Sequence, residues 1–418
     1  MRPGDLGTSC AYSREFCHKL AVMSLEIDVA DPEYELVWPR DIFRTEASNL
    51  LARHGSVTTE DYALLLEESF AGNTPADDLR AAASRYEETG FGFGPGALPR
   101  SPAPVPRQPN DKAFMQALLS KVDSLMTPRQ RAPYWNERHG TVQGGQAIEE
   151  FADAWARIVV EFESKGYFAK AAPPECVDDD NGVDYDVVGA SMEGAIYANS
   201  RLKVDWSTVR WDASSLDEET LYSLVECLFD LVARPRRHHV HSYNNCGTHF
   251  ENFYIPTGQA LYAWNVNQAL ERLGIPLVLE SDRSEHYGRL VRIVDAPHHE
   301  LIHAAMRTSD LSVRERVSHA YALYRGRTAT RADKRTACNG LAHILELRRN
   351  LLKERVRPDE NELFNIANNY AIRHFNDRQK DDYDEVFLDW IFWSFCSAIA
   401  LTEALIEQEK SDGSTAPF

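Results

Sequence analysis

Between Val386 and Leu401 the chain reads VFLDWIFWSFCSAIAL, a stretch in which Asp389 is the one charged side chain. A helix that is apolar on nearly every side has no stripe it can turn to water, so other helices or a second protomer must enclose it. That requirement makes a helical bundle the natural end of this chain. Three periodic segments precede it, at 311–325, 332–356 and 359–374; the third sets Leu363, Ile366, Ala367, Tyr370 and Ala371 at helical spacing. We therefore expect a four-helix bundle over 306–410 and a short tail at 411–418. Trp390, Phe392, Trp393 and Phe395 cover too many directions for one small bundle to bury, which predicts a homodimer through this last helix. The uncharged run Trp390–Thr402 is 13 residues, short of the ~18 that a membrane span requires, so no membrane is expected.

The upstream chain is long enough for one or two more domains at ~150 residues each. Residues 1–22 lack periodicity and read as a disordered leader. Amphipathic helices at 40–54 and 58–70, the second capped by Thr58 or Thr59, make 23–87 a helical segment. In 88–110, ETGFGFGPGALPRSPAPVPRQPN, Gly and Pro take nearly half the positions, so the segment is a linker in which neither helix nor strand persists. Helices at 110–126 and 146–168 define a helical region over 111–204. It contains an acidic run, ECVDDDNGVDYD at 175–186, which lacks the closing Glu of a calcium loop and reads as solvated. A helix at 215–235 with a Ser cap and a Pro stop, a helix at 257–274 ending at Gly274, and two strands around a turn in 276–294 make 205–305 a small α+β module. The fold class is thus α+β and mostly helical: a module with a β-hairpin, followed by a C-terminal four-helix bundle.

Charge excludes one function class. At a formal −19 the chain is not a general coat for nucleic acid. Residues 307–357 nevertheless hold 13 Lys/Arg against 5 Asp/Glu, a basic block that is either the solvated face of two helices or a phosphate-binding surface. Seven cysteines, at 10, 17, 176, 227, 246, 338 and 396, show no regular spacing. An odd, scattered set reads as reduced thiols, and the N-terminus lacks an export signal, so a cytoplasmic protein is expected.

Two constellations carry chemistry. The first is the knot RRHHVHSYNNCGTHFENF at 236–253, where His238, His239, His241, Cys246 and His249 supply imidazole and thiol, the donors zinc prefers. Only Cys246-x-x-His249 has a zinc-like spacing, with His239 and His241 as looser partners. The alternatives are a rigid loop with a positive-φ Gly247 and an aromatic shell from Tyr243, Phe250, Phe253 and Tyr254, or a ligand pocket. A metal-dependent hydrolase centred on this knot is one functional alternative. The run LYSLVECLFDLVARP…HSYNNCGTHFENFYIPTGQALYAWNVNQALERLGIPLVL resembles the N-terminal module of abortive-infection proteins of the J type, through His241, Tyr243, Cys246, Gly247, His249, Gly258, Gln259 and Asn267. The resemblance covers about 80 residues and implies a part in phage defence.

The second is NNYAIRHFNDRQ at 368–379 before the last helix. Together with the bundle it is similar to HEPN domains. That resemblance implies a dimeric, metal-independent endoribonuclease, without a cofactor, in which Arg373 and His374 meet their mates across a twofold axis. The residue types suit the reaction: a histidine takes the 2′-hydroxyl proton and an arginine fork stabilises the charged phosphorane, leaving a 2′,3′-cyclic phosphate. The family's usual signature is Arg-x(4–6)-His, whereas Arg373 and His374 are adjacent. Arg314 and His319 fit that spacing, but on one helix they sit ~140° apart and do not converge. Asn365, Asn369 and Arg373 fall on one polar stripe, and with Asn376 and the basic helix's Arg348, Arg349 and Asn350 they are the candidate contacts to RNA, tRNA among the substrates. On the same spacing His374 falls near the apolar stripe, where a satisfied core histidine is the alternative to a base. A scaffold that binds RNA or protein without cleaving is the remaining alternative.

Overall fold

The computed structural model describes residues 27–53, 57–90, 110–128, 147–174, 191–243, 246–282, 285–355 and 384–413. The fold is mostly helical with two small antiparallel sheets, in agreement with the α+β class read from the sequence. Packing divides the chain into two discontinuous units. One gathers Met1–Gln143, Pro174–Asn181 and Ala233–Leu261; the other gathers Gly144–Pro173, Gly182–Val232 and Tyr262–Phe418. These units do not follow the linear partition drawn from the sequence, because residues 233–261 leave the 205–305 segment and join the N-terminal helices. Of the other segments read from sequence, 1–22, most of 88–110, the acidic run 175–186 and the helix 359–374 lie outside the described residues.

In the first unit, helices Arg40–Ala52, Thr59–Ser69, Thr74–Gly90 and Asn110–Ser120 enclose Leu36, Phe43, Leu50, Tyr62, Leu65, Leu66, Phe70, Leu79, Phe114 and Leu118. The second helix starts as its sequence requires: Thr58 takes the N-cap and accepts from the Asp61 amide, while the Asp61 side chain accepts from the Thr58 amide. Helix Thr74–Gly90 was not read from the sequence, and it runs a short way into the segment assigned as linker. A two-stranded hairpin completes the unit. Strand β1, Arg237–His241, pairs antiparallel with β2, Gly247–Glu251, in the register His239 to His249 and His241 to Gly247. Gly247 enters β2 at φ +100, the left-handed region that a Cβ disfavours.

In the second unit, helices Ala147–Ser164, Met192–Ser200 and Glu218–Leu231, with the later turns of Ile255–Arg272, pack around Trp155 and Tyr262. The Trp155 indole N–H donates to the Tyr262 hydroxyl at 2.7 Å, and that hydroxyl donates to the Val225 carbonyl at 3.2 Å. The helix expected at 215–235 begins later, with Asp217 rather than a serine as its cap. A carboxylate at that position accepts the Thr220 amide and complements the positive helix end. The expected strand pair appears as β3, Leu277–Leu279, and β4, Leu290–Arg292.

The C-terminal helices share one core. Helices Ala296–Met306, Leu311–Arg325, Arg331–Leu347, Arg349–Arg355 and Val386–Gly413 bury Ile302, Val317, Leu341, Leu345, Leu388, Ile391, Phe392, Phe395 and Ile399 together. The cluster therefore takes in Leu301, Ile302 and Ala305, before the expected boundary at 306. By length and composition alone Val386–Lys410 could cross a membrane, because a helix tolerates the few polar residues that a count of uncharged runs rejects. Its Phe392, Phe395 and Cys396 face the cluster's interior. Asp389 accepts from Lys334 at 2.9 Å and from the Tyr324 hydroxyl at 2.9 Å, which satisfies the one charge in the apolar run.

Candidate functional site

The segment Ala233–Arg237 fastens the hairpin to its unit through three arginines. Glu46, with no exposed surface, accepts from Arg234 at 2.9 Å, from Arg236 twice at 2.7 and 2.8 Å, and from the Thr257 hydroxyl at 2.7 Å. Arg234 also reaches Glu68 at 2.7 Å, and Arg237 grips Asp61 with two nitrogens at 2.8 and 2.7 Å. The planar guanidiniums stack as well: Arg236 lies 3.9 Å from the Tyr254 ring centre and Arg234 5.3 Å from Trp38. Burial alone would raise the Glu46 carboxyl. The Arg236 hydrogen bond, the charges of Arg234 and Arg236 and the Thr257 hydroxyl outweigh it and hold Glu46 below the usual carboxylate range. Sequence reading did not single out Glu46, Arg234 or Arg236. A charge pair separated by 188 residues leaves no local pattern to find.

On this anchored base, strand alternation places His239 and His241 on one face of β1, with His249 of β2 beside them. The His249 ring lies 5.3 Å from His239, nearly parallel, and 5.8 Å from His241. Cys246, in the turn, brings its Sγ to 3.1 Å from His249 Nε2. One ligand atom each of His241, Cys246 and His249 lies within 4.8 Å of the other two, and all three side chains are half-buried. His239 is drawn aside to Glu251, at 3.2 Å. His238 points to the other face, near Phe250. The structure thus selects three of the five donors named from the sequence. The aromatic shell is incomplete, since Tyr243 is 70% exposed.

The remaining motif positions serve the fold. A Cβ at Gly258 would stand 2.6 Å from the Arg234 backbone nitrogen and 2.8 Å from Ala233 Cα, so only glycine lets the Ile255–Arg272 helix approach that segment. Gln259 is buried. Asn267 accepts from the Leu279 amide at 2.7 Å and donates to its carbonyl at 3.0 Å, closing the edge of β3 as a strand partner would.

Arg373, His374, Asn365, Asn369 and Asn376 lie outside the described residues. Arg348 and Arg349 do not present free cations to a phosphate. Arg348 donates to the Thr402 hydroxyl at 2.6 Å and to Glu403, with both charged side chains nearly buried. Arg349 faces Glu346 at 3.4 Å. Asn350 is exposed beside them. The basic block is compensated elsewhere too: Arg325 pairs with Glu280, Lys334 with Glu385 and Asp389, and Arg355 with Glu409. Arg348→Ala is therefore expected to destabilise the C-terminal cluster by about 2 kcal/mol, read as a lower urea midpoint, because Glu403 keeps its burial and loses its partner. An unchanged midpoint with weakened RNA binding would return Arg348 to the role expected from the sequence.

Of the cysteines, Cys227, Cys338 and Cys396 are buried thiols. Burial raises all three, Cys338 to about 12, which keeps them protonated and inert. Cys246 is the half-buried thiol among the described residues; Cys10, Cys17 and Cys176 lie outside them. No protein-family model, no curated protein and no solved structure matches this chain.

Proposed function

We propose that the chain is a cytoplasmic phage-defence protein of the abortive-infection type, whose C-terminal helices form a HEPN-like homodimer that cleaves RNA through Arg373 and His374. The observation that supports the dimer is the outer face of helix Val386–Gly413. Val386, Phe387, Trp390 and Leu401 fall within ~100° of one another around the helix axis, and they are 60%, 40%, 49% and 47% exposed. In this proposal a second copy covers the stripe and the dimer joins two Arg-His pairs, where a single pair would be a poor site. The dimer needs less than the sequence suggested: Phe392 and Phe395 are buried within the chain, and Trp393 packs on His298 and Tyr324 at 4.1 and 5.5 Å.

In this reading His374 removes the 2′-hydroxyl proton and the 2′-oxygen attacks the adjacent phosphorus. Arg373 neutralises the charge on the phosphorane. The P–O5′ bond then breaks as the 5′-oxygen takes a proton from the histidine imidazolium, giving a 2′,3′-cyclic phosphate on one fragment, a 5′-hydroxyl on the other and a neutral imidazole. The second reading is a scaffold that binds RNA or protein without nuclease activity; the ion-paired state of the basic block supports it only by leaving fewer cations for a cleavage groove.

The test incubates the full chain with total tRNA in EDTA and maps the new ends, beside Arg373→Ala and His374→Ala, with light scattering for oligomeric state. Wild type is expected to be dimeric and to yield cyclic-phosphate ends, and each variant to lose all cleavage while remaining dimeric. An equally active soluble double variant overturns the catalytic assignment. RNA binding without cleavage by wild type establishes the scaffold instead.

A further inference from the structure

We propose that the tip of the β1–β2 hairpin is a zinc(II) site, held by one nitrogen each of His241 and His249 and by the thiolate of Cys246. Tetrahedral zinc with Zn–S of ~2.3 Å and Zn–N of ~2.0–2.1 Å sets S···N pairs ~3.6 Å apart and N···N pairs ~3.4 Å apart. The observed 3.1 Å between Cys246 Sγ and His249 Nε2, and the 4.8 Å bound on all three atoms, lie within a small side-chain rotation of that geometry. Two imidazoles and a thiol are the donor set that selects zinc over calcium or magnesium, which take oxygen. Binding is balanced simply: the ion takes the Cys246 sulfur as thiolate and the thiol proton leaves to solvent.

Two features of the fold favour occupancy. The platform is stiff, because Arg236 and Arg237 tie the foot of β1 to Glu46 and Asp61, so the ligand side chains are held in register before the ion arrives. The three donors are also half-buried, which leaves them reachable from water. Among the described residues no fourth His, Cys, Asp or Glu joins the group, so one coordination position is left for a water molecule. The ion would join the end of β1 to the start of β2, beside the exposed Val240 and Tyr243. The site is independent of the ribonuclease reading, which requires no metal.

The test titrates the reduced full chain, stripped with EDTA, with cobalt(II) and then zinc(II). One equivalent of cobalt is expected to produce thiolate charge-transfer and tetrahedral d–d absorption, and zinc to abolish both. Cys246→Ser should remove the charge-transfer band. His241→Ala and His249→Ala should each weaken binding by more than the ~10–100-fold that loss of a mere supporting group costs. Zinc should also slow alkylation of Cys246 in the wild-type protein, a readout that stands even where a variant fails to fold. Absence of binding by wild type, or an unchanged band and stoichiometry in Cys246→Ser, overturns the site.

Discussion

Replacing Glu46 with alanine is expected to lower the stability of the first unit by about 3–5 kcal/mol, the cost of leaving buried charge uncompensated. Glu46 accepts at least four hydrogen bonds from Arg234, Arg236 and Thr257. Arg234 keeps Glu68 after the change, whereas Arg236, 5% exposed, loses both of its bonds to a carboxylate. A solvent-facing ion pair would contribute ~0–1 kcal/mol, so the size of the loss discriminates between a buried anchor and a surface contact. Arg236→Ala in the same background should cost much less than it does alone, because the two side chains act as a unit.

The pH dependence follows from the direction of the Glu46 shift. Its carboxyl is held low in the folded state, so its contribution is complete above the ordinary carboxylate value of ~4.3 and is lost as pH falls through the folded value. The gap in urea midpoint between wild type and Glu46→Gln should therefore be widest near neutrality and close as the pH drops below about 4. A gap that widens in acid, or a loss under ~1 kcal/mol for Glu46→Ala, would show that the network is not what holds the hairpin.

Gly258→Ala is expected to destabilise by about 3 kcal/mol, the upper end of the usual cost of overpacking. The added methyl meets the backbone of Ala233 and Arg234 at 2.6–2.9 Å, and backbone cannot swing aside as a side chain tip does. Relief requires the helix to lift from the segment carrying Arg234, which strains the Glu46 network at the same time. Thr257, one residue earlier, is itself a donor in that network. The two effects should therefore be less than additive in a Glu46→Ala, Gly258→Ala double variant. The control is Gly274→Ala. Gly274 sits at φ +64 with nothing within 4 Å of an added Cβ, so its cost should be the smaller one of a left-handed alanine, ~1–2 kcal/mol. Equal losses at the two glycines would mean that close approach does not explain Gly258.

Several local causes were legible in the residues, although helix Thr74–Gly90 and the Asp217 cap were not read from them. The Thr58 cap, one of the two threonines offered, the helix Leu311–Arg325 and the end of a helix at Gly274 each depend on neighbours three or four positions away. So does the apolar run from Val386, whose burial follows from having no polar face. The β1–β2 hairpin was not legible. RHHVH and GTHFE show no alternation of apolar and polar residues, and what sets the pairing is the fixing of the arginine foot by carboxylates far away in the chain. Arg348 misled for the same reason: a cation on a helix reads as surface until the tertiary partner, Glu403, is known.

By itself, then, the sequence determined the class of fold, the helical character of 40–69 and of 311–347, and the supply of imidazole and thiol between residues 238 and 249. It also determined that the last helix must be covered. Tertiary structure alone decided which basic residues are anchors, that Gly258 answers to the backbone of Ala233 and Arg234, and which three of five donors converge. The physical reason is range. Propensity, capping and periodicity are set within a few residues of chain, whereas a buried charge or a metal-sized cluster is defined by distances of a few ångströms between segments that the chain itself keeps far apart.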